Sequence, residues 1–212
     1  MSAPAPIVQI ARSHVSSETR PTTLDALRQR FAEERCLRLP GFFGGDLLSA
    51  VMRRLRTARF KERIATRVVP PAVDLKLDDA DLIGLLHFVM NDPAVIQFVA
   101  RVSATEPTGF VGSVYRIAPG MGHRDSWHDD IDGNRLVALT LNLSEDRFDG
   151  GELELREQGQ DQPLWRIANT GPGDALLFAI APNLEHRIRP MTGSVAKTAL
   201  AGWFCRDADL RL

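Results

Sequence analysis

Trp127-His-Asp-Asp130, Arg135-Leu-Val-Ala-Leu-Thr-Leu-Asn142 and Leu184-Glu-His-Arg-Ile188 are the stretches on which the reading of this chain turns. The second is an apolar run of strand length, and His186 sits inside the third, another short run with strand character. On an extended strand, residues i and i+2 project from one face. His128 and Asp130 are therefore expected to share a face, with Asp129 on the other. A third ligand, His186, joins them only if a distant strand folds back beside the first. Two imidazoles and one carboxylate cover one face of an octahedral ion and leave the opposite positions open, the donor set of non-haem Fe(II) oxygenases. In a chain with five histidines a single His-x-Asp means little by composition. Its neighbours carry the argument.

Outward from the motif come Asp149-Gly-Gly-Glu-Leu153, then Gly171-Pro-Gly-Asp174 leading into Ala175-Leu-Leu-Phe178. His186-Arg-Ile-Arg-Pro190, Lys197 and Gly202-Trp-Phe204 follow. The paired glycines and the Gly-Pro-Gly step mark turns, and neither has the spacing of a phosphate loop. Short strands are expected at 110–118, 135–143, 151–156, 164–168, 174–180, 184–189 and 197–204. Before them, helices are expected from Thr22 or Thr23, as cap, to Glu34, and over 45–56, 79–90 and 93–103, with a strand at 36–40. Helices first and strands second make an α+β domain. Strand counting alone allows several β-sandwiches.

Domain organisation follows from the same pass. Residues 1–21 read as a flexible N-terminal arm and 22–212 as one domain, helical over 22–106 and β-rich over 107–206. Hydrophobic content of 44% and charged content of 25% are ordinary for a globular chain. The net charge of −1 argues against bulk binding to nucleic acid. No stretch has the length of a membrane span, and no basic-then-apolar leader opens the chain. Cys36 and Cys205 stand alone, as reduced thiols do, so a cytoplasmic protein is expected. Arg53–Arg67 is locally basic, read first as a solvated helix face and loop, second as a lid that meets an acidic substrate.

From Gly109 to Phe204 this order of elements resembles the Fe(II)/2-oxoglutarate-dependent dioxygenase superfamily, in its prolyl-4-hydroxylase-like branch. Cys36-Leu-Arg-Leu-Pro-Gly-Phe-Phe43 looks like the first strand of that family, with its helix following. The resemblance implies a double-stranded β-helix (a cupin-like jelly roll) with N-terminal helices packed on one sheet. It also implies His128, Asp130 and His186 as iron ligands and catalytic centre. Lys197, six residues before Trp203, matches the basic residue that meets the far carboxylate of 2-oxoglutarate. A cation is needed there, because an unpaired carboxylate in an apolar barrel is costly. The gap from His186 to Lys197 is one residue longer than usual, so an insertion is expected near Gly193-Ser194. Thr140 is implied as a second contact to that carboxylate and Tyr115 as a cosubstrate contact. Arg124, Trp127, Arg189 and Trp203 are expected around the substrate at the barrel mouth.

The implied activity is hydroxylation of an unactivated C–H bond of a small-molecule or amino-acid-type substrate. It consumes 2-oxoglutarate and O2 and releases succinate and CO2, with ascorbate as a further implied cofactor. A peptidyl, prolyl-type hydroxylase and a non-catalytic jelly-roll metal-binding module are the alternatives. A cupin-like metalloenzyme of another class would add further His or Glu ligands, which are not seen. Asp130 argues against halogenation, where a small residue makes room for halide. Trp203 argues against the DNA-repair branch, which carries a second basic residue at that position.

Overall fold

Alternation along the strands after residue 108 sets the architecture. The computed structural model describes residues 6–65, 72–120, 126–168 and 170–208. In chain order the elements are β1 (Val8–Ile10), β2 (Val15–Ser17), α1 (Pro21–Glu34), β3 (Cys36–Leu39), α2 (Gly45–Thr57), β4 (Phe60–Ala65), β5 (Ala72–Leu77), α3 (Ala80–Met90) and α4 (Pro93–Ser103). Then come β6 (Gly109–Ile117), β7 (Arg135–Asn142), β8 (Leu153–Glu157), β9 (Trp165–Ile167), β10 (Ala175–Ala179), β11 (Leu184–Ile188) and β12 (Lys197–Cys205).

A major sheet runs β3-β10-β7-β12-β6-β5-β4 and a minor sheet runs β11-β8-β9. On β12, Leu200 and Phe204 are fully buried and face the helices. Lys197, Ala199, Ala201 and Trp203 alternate with them and face the minor sheet. Leu139 and Leu141 of β7 and Leu177 of β10 join Leu200 and Phe204 in a core shared with Leu27, Phe31, Val51, Leu86 and Phe98 of the helices. A second, smaller core of Leu153, Leu155, Ile167, Leu176, Phe178 and Leu184 fills the space between the sheets. Two stacked antiparallel sheets, one carrying helices on its outer face, make the double-stranded β-helix that the resemblance implies.

His87 of α3 and the helix's C-cap Asn91 finish the edge of β6. Among the described residues β5 pairs with β6 only at Leu75↔Arg116 and Lys76↔Tyr115, and the start of β6 has no strand neighbour on that side. The Asn91 carboxamide substitutes for one. It accepts from the Phe110 N–H at 2.7 Å and donates to the Phe110 carbonyl at 3.0 Å. One turn earlier, His87 Nε2 lies 2.7 Å from the Gly112 carbonyl. An open strand edge is thereby covered and the helical layer is pinned to the sheet.

Three expectations change. The segment read as a flexible arm is partly built into the fold: β1 and β2 pair from Val8↔Ser17 to Ile10↔Val15, and Val8 and Ile10 are buried in the main core. The first helix begins at Pro21, not after a Thr22 or Thr23 cap, and its N-cap Arg20 makes no side-chain cap bond. Proline suits that first position because its fixed φ is helical and it has no N–H to leave unpaired. The basic run leaves helix at Thr57 and becomes strand at Phe60, pairing with β5 from Phe60↔Leu77 to Ala65↔Ala72. Charges alternating along an edge hairpin show no apolar stripe, which is why it read as loop. Among the described residues no single helix is long and apolar enough to cross a membrane.

Candidate active site

His128 belongs to no extended ladder. It docks on β11 as an isolated antiparallel bridge opposite His186. Its N–H donates to the His186 carbonyl at 3.1 Å, and the His186 N–H donates back at 2.8 Å. That bridge brings the two imidazole centroids to 4.2 Å. Asp130 then departs from the expected extended geometry, because its φ is +60°. In this left-handed conformation, which aspartate tolerates better than most residues, the carboxylate still lies beside both histidines. Asp129 stays out of the group and accepts the Ile131 N–H at 3.0 Å.

His128, Asp130 and His186 offer ligand atoms that all lie within 4.8 Å of one another. His186 Nε2 is 3.3 Å from Asp130 Oδ2, and His128 Nε2 is 3.8 Å from Oδ1. His128 Nδ1 lies 2.8 Å from the Ser126 carbonyl. A carbonyl only accepts, so Nδ1 carries the proton and Nε2 keeps its lone pair for the centre, the usual support of a metal-bound histidine. Phe178 packs edge-on against the His186 ring at 4.9 Å and fixes its plane. The donor set, its convergence and this orienting bond fit a divalent transition metal with open positions.

Both oxygens of Asp130 are held from behind. Trp203 Nε1 donates to Oδ2 at 2.8 Å, and Arg135 Nη1 donates to Oδ1 at 3.1 Å. The Arg135 guanidinium also lies 3.6 Å from the centroid of the Trp203 ring. Burial alone pushes the Asp130 carboxyl up. The hydrogen bond and charge of His186, the charge of His128 and the Trp203 N–H outweigh it, and the group is held well below the usual carboxylate range. It is thus an anion at any working pH, as a metal ligand must be.

Lys197 lines a small cavity between the two sheets, together with Thr140, Asn142, Phe148, Gly151 and Leu176. Register puts Thr140 opposite Ala201 of β12 and opposite Leu176 of β10, on the face shared with Lys197. The Lys197 ammonium donates to the Gly151 carbonyl at 2.7 Å. Gly151 has φ +62°, and a Cβ there would lie 2.7 Å from Met191 Sδ and 3.1 Å from the Lys197 stem. The glycine pair read from sequence as a turn therefore also makes room for the lysine. The β11–β12 connection before Lys197 turns at Thr192 and Gly193, which both donate to the Asp149 carbonyl. Tyr115, opposite Ala199, lies on the same face. Burial raises its phenol pKa, and Arg63, Asp74, Arg135 and Asp130 all act on it. The Arg63 guanidinium sits 4.5 Å over its ring and is paired with buried Asp74.

The expected substrate contacts fare differently. Arg124 lies outside the described residues. Trp127 turns away from the triad: Arg156 and Arg187 lie over its ring at 4.1 and 4.4 Å, on the outer face of the minor sheet. Successive strand residues face opposite ways, so a ring stacked on Arg187 cannot share the side of His186. Arg189 is on that outer side too, 3.3 Å from Glu154 and 3.8 Å from Glu152. Trp203 does face the site, but its N–H is committed to Asp130. The support given by Trp203, Arg135 and Ser126 had no local signal in the sequence, since each partner is set by strand register or loop shape.

Residues 112–205, from β6 to the end of β12, match the model of the 2OG-Fe(II) oxygenase superfamily. No curated protein matches the chain. Among solved structures, a 2OG-Fe(II) oxygenase family oxidoreductase from Burkholderia pseudomallei is 15% identical, with a TM-score of 0.67 over 90% of this chain and 94% of that one. A Pseudomonas putida prolyl-4-hydroxylase is 19% identical, with a TM-score of 0.61 over 87% and 100%. The non-heme alpha ketoglutarate dependent epimerase SnoN of nogalamycin biosynthesis is 11% identical, with a TM-score of 0.61 over 86% and 80%. These likenesses speak for the fold. The matched segment holds His128, Asp130, His186 and Lys197 on that fold, and over this segment the chain is similar to the 2OG-Fe(II) oxygenase superfamily, whose 2-oxoglutarate-dependent iron chemistry the triad fits.

Proposed function

We propose that this enzyme hydroxylates an unactivated C–H bond of a small-molecule or amino-acid-type substrate, with release of succinate and CO2. The observation that carries the reading is the convergence of His128, Asp130 and His186 within 4.8 Å, with a lysine-lined cavity on the same sheet face. His128 Nε2, His186 Nε2 and one Asp130 oxygen would hold Fe(II). Bound iron and 2-oxoglutarate supply the activation of dioxygen. The protein's part is to hold, orient and exclude water. Lys197 would neutralise the far carboxylate of 2-oxoglutarate and Thr140 would donate a hydroxyl to it, so that the cosubstrate enters in one orientation. Trp203 and Arg135 keep the Asp130 carboxylate from rotating. Leu153, Leu176 and Ile167 keep the cavity floor apolar, which strengthens the lysine's attraction.

The prolyl-4-hydroxylase and the epimerase with which the chain shares its fold favour, respectively, a peptidyl proline and a small metabolite as substrate. A panel of free amino acids, proline-containing peptides and small metabolites decides between them. Succinate is measured first, then product mass. The proposal expects one substrate to couple succinate to the gain of one oxygen atom derived from O2. Coupled turnover only with peptides would establish the peptidyl reading. Absence of succinate across the panel, with iron bound, would favour the non-catalytic module.

A further inference from the structure

Among the described residues, the segment 126–134 that carries His128 has no strand of its own and meets β11 through the two backbone bonds of one bridge. Behind that bridge lies a connected network. Trp127 rests against the guanidinium groups of Arg156 and Arg187. Arg187 pairs with Glu154 at 2.7 Å, and Arg156 pairs with Glu185 at 2.8 Å. Glu154 is wholly buried and also receives Arg166 at 2.6 Å. Register aligns these pairs across the minor sheet: Glu185↔Arg156, Arg187↔Glu154 and Glu154↔Arg166. His186 stands between Glu185 and Arg187 on β11, so both its neighbours are fastened on the side away from the triad.

We propose that Trp127, gripped by Arg156 and Arg187, is a positioning residue that clasps the His128 loop to β11 and thereby sets the affinity of the site for its metal. The inference rests on the metal-site reading above. An indole held by two cations is a directional contact. It adds to the two backbone bonds of the bridge and to the contacts that hold Asp130, and it resists lifting of the loop on the N-terminal side of His128. A ligand already in place pays no ordering cost when the ion arrives, whereas a frayed loop must be ordered by the metal itself. Trp127 belongs to neither hydrophobic core, so its loss should loosen the ligand without unfolding the domain.

The test uses Co(II) as an air-stable probe, titrated into metal-free full-length protein and read by its visible ligand-field absorption. Wild type should bind one ion. Trp127→Ala should bind about 10–100-fold more weakly, the usual range for loss of an outer support, with the melting temperature of the metal-free protein nearly unchanged. Trp127→Phe retains a ring and should recover most of the affinity. Arg187→Gln, which leaves Glu154 its other arginines, should weaken binding several-fold. At saturating metal the KM for 2-oxoglutarate should not move in any of them. Trp127→Ala binding Co(II) within twofold of wild type would overturn the clasp, as would Trp127→Phe losing as much as alanine. If Trp127→Ala does not fold, the phenylalanine and Arg187→Gln variants decide on the same criteria. A wild type that binds no Co(II) would overturn the metal site itself and the clasp with it.

Discussion

Replacing Lys197 by methionine removes a charge while keeping most of an apolar stem. In the native protein the ammonium is 2.7 Å from the Gly151 carbonyl, and its stem passes beside Gly151. Methionine fills the same channel, so the change is chiefly electrostatic. Breaking a fully buried charge pair costs about 3–5 kcal/mol, because the surviving charge is left unpaired. Lys197 is half-buried, and water reaching the cavity relieves part of that cost. A net loss of about 2–4 kcal/mol is therefore expected, which at about 1.4 kcal/mol per decade is roughly 30–1,000-fold in 2-oxoglutarate affinity. The assay is the apparent KM for 2-oxoglutarate from succinate formation, paired with Co(II) binding. KM should rise by that factor while metal affinity stays as in wild type. Lys197→Arg should fall between the two, since it keeps the charge but needs more room beside Gly151. A methionine variant whose KM stays within threefold of wild type would refute the reasoning and move the anchor to another cation, Arg135 being the first to test.

Other predictions follow from the same geometry. His186→Ala should abolish stoichiometric Co(II) binding and turnover, and normal binding would remove it from the ligand set. Trp203→Phe deletes the N–H to Asp130 Oδ2 and should lower kcat more than it raises the KM for 2-oxoglutarate; an unchanged kcat would leave the indole with packing alone. Asp130→Gly should lose hydroxylation without efficient chlorination in excess chloride, whereas a chlorinated wild-type product, detected by mass, would mean that Asp130 is no ligand. Glu154 bears on pH. Burial raises its pKa, but Arg187, Arg166 and Arg189 lower it more, and the net direction is down. A depressed carboxylate stabilises fully above its unfolded value of about 4.3 and loses that contribution as pH falls through the folded value. The melting temperature should therefore drop as the solution is acidified below about pH 4.5, and Glu154→Gln should flatten the drop.

The triad was legible because its three residues carry rare chemistry and sit beside recognisable strands, yet the local reason differed. An extended His-x-Asp was expected; a bridge at His128 and a left-handed Asp130 achieve the same convergence. Lys197 and Thr140 were singled out only through resemblance, and the strand register that puts them on one face is a tertiary fact. Trp203 read as a mouth or core residue because its partner, Asp130, is 73 positions away. Trp127 and Arg189 read as mouth residues because nearness in sequence to a ligand says nothing about which face a side chain takes. The short β1–β2 pair left too little periodicity to distinguish it from an arm. The helices and the strands from Gly109 on were legible for the opposite reason: their apolar positions repeat over several turns or alternate over several residues.

The central claim is that these residues assemble an Fe(II)·2-oxoglutarate centre. The most direct test is an anaerobic titration of 2-oxoglutarate into the Fe(II)-loaded protein, followed by visible absorption. Chelation of Fe(II) by a 2-oxo acid gives a metal-to-ligand charge-transfer band, which should appear and saturate at one equivalent in wild type. The band should be absent in His186→Ala and demand far more 2-oxoglutarate in Lys197→Met. Iron-loaded wild type that gives no such band at saturating 2-oxoglutarate would contradict the account.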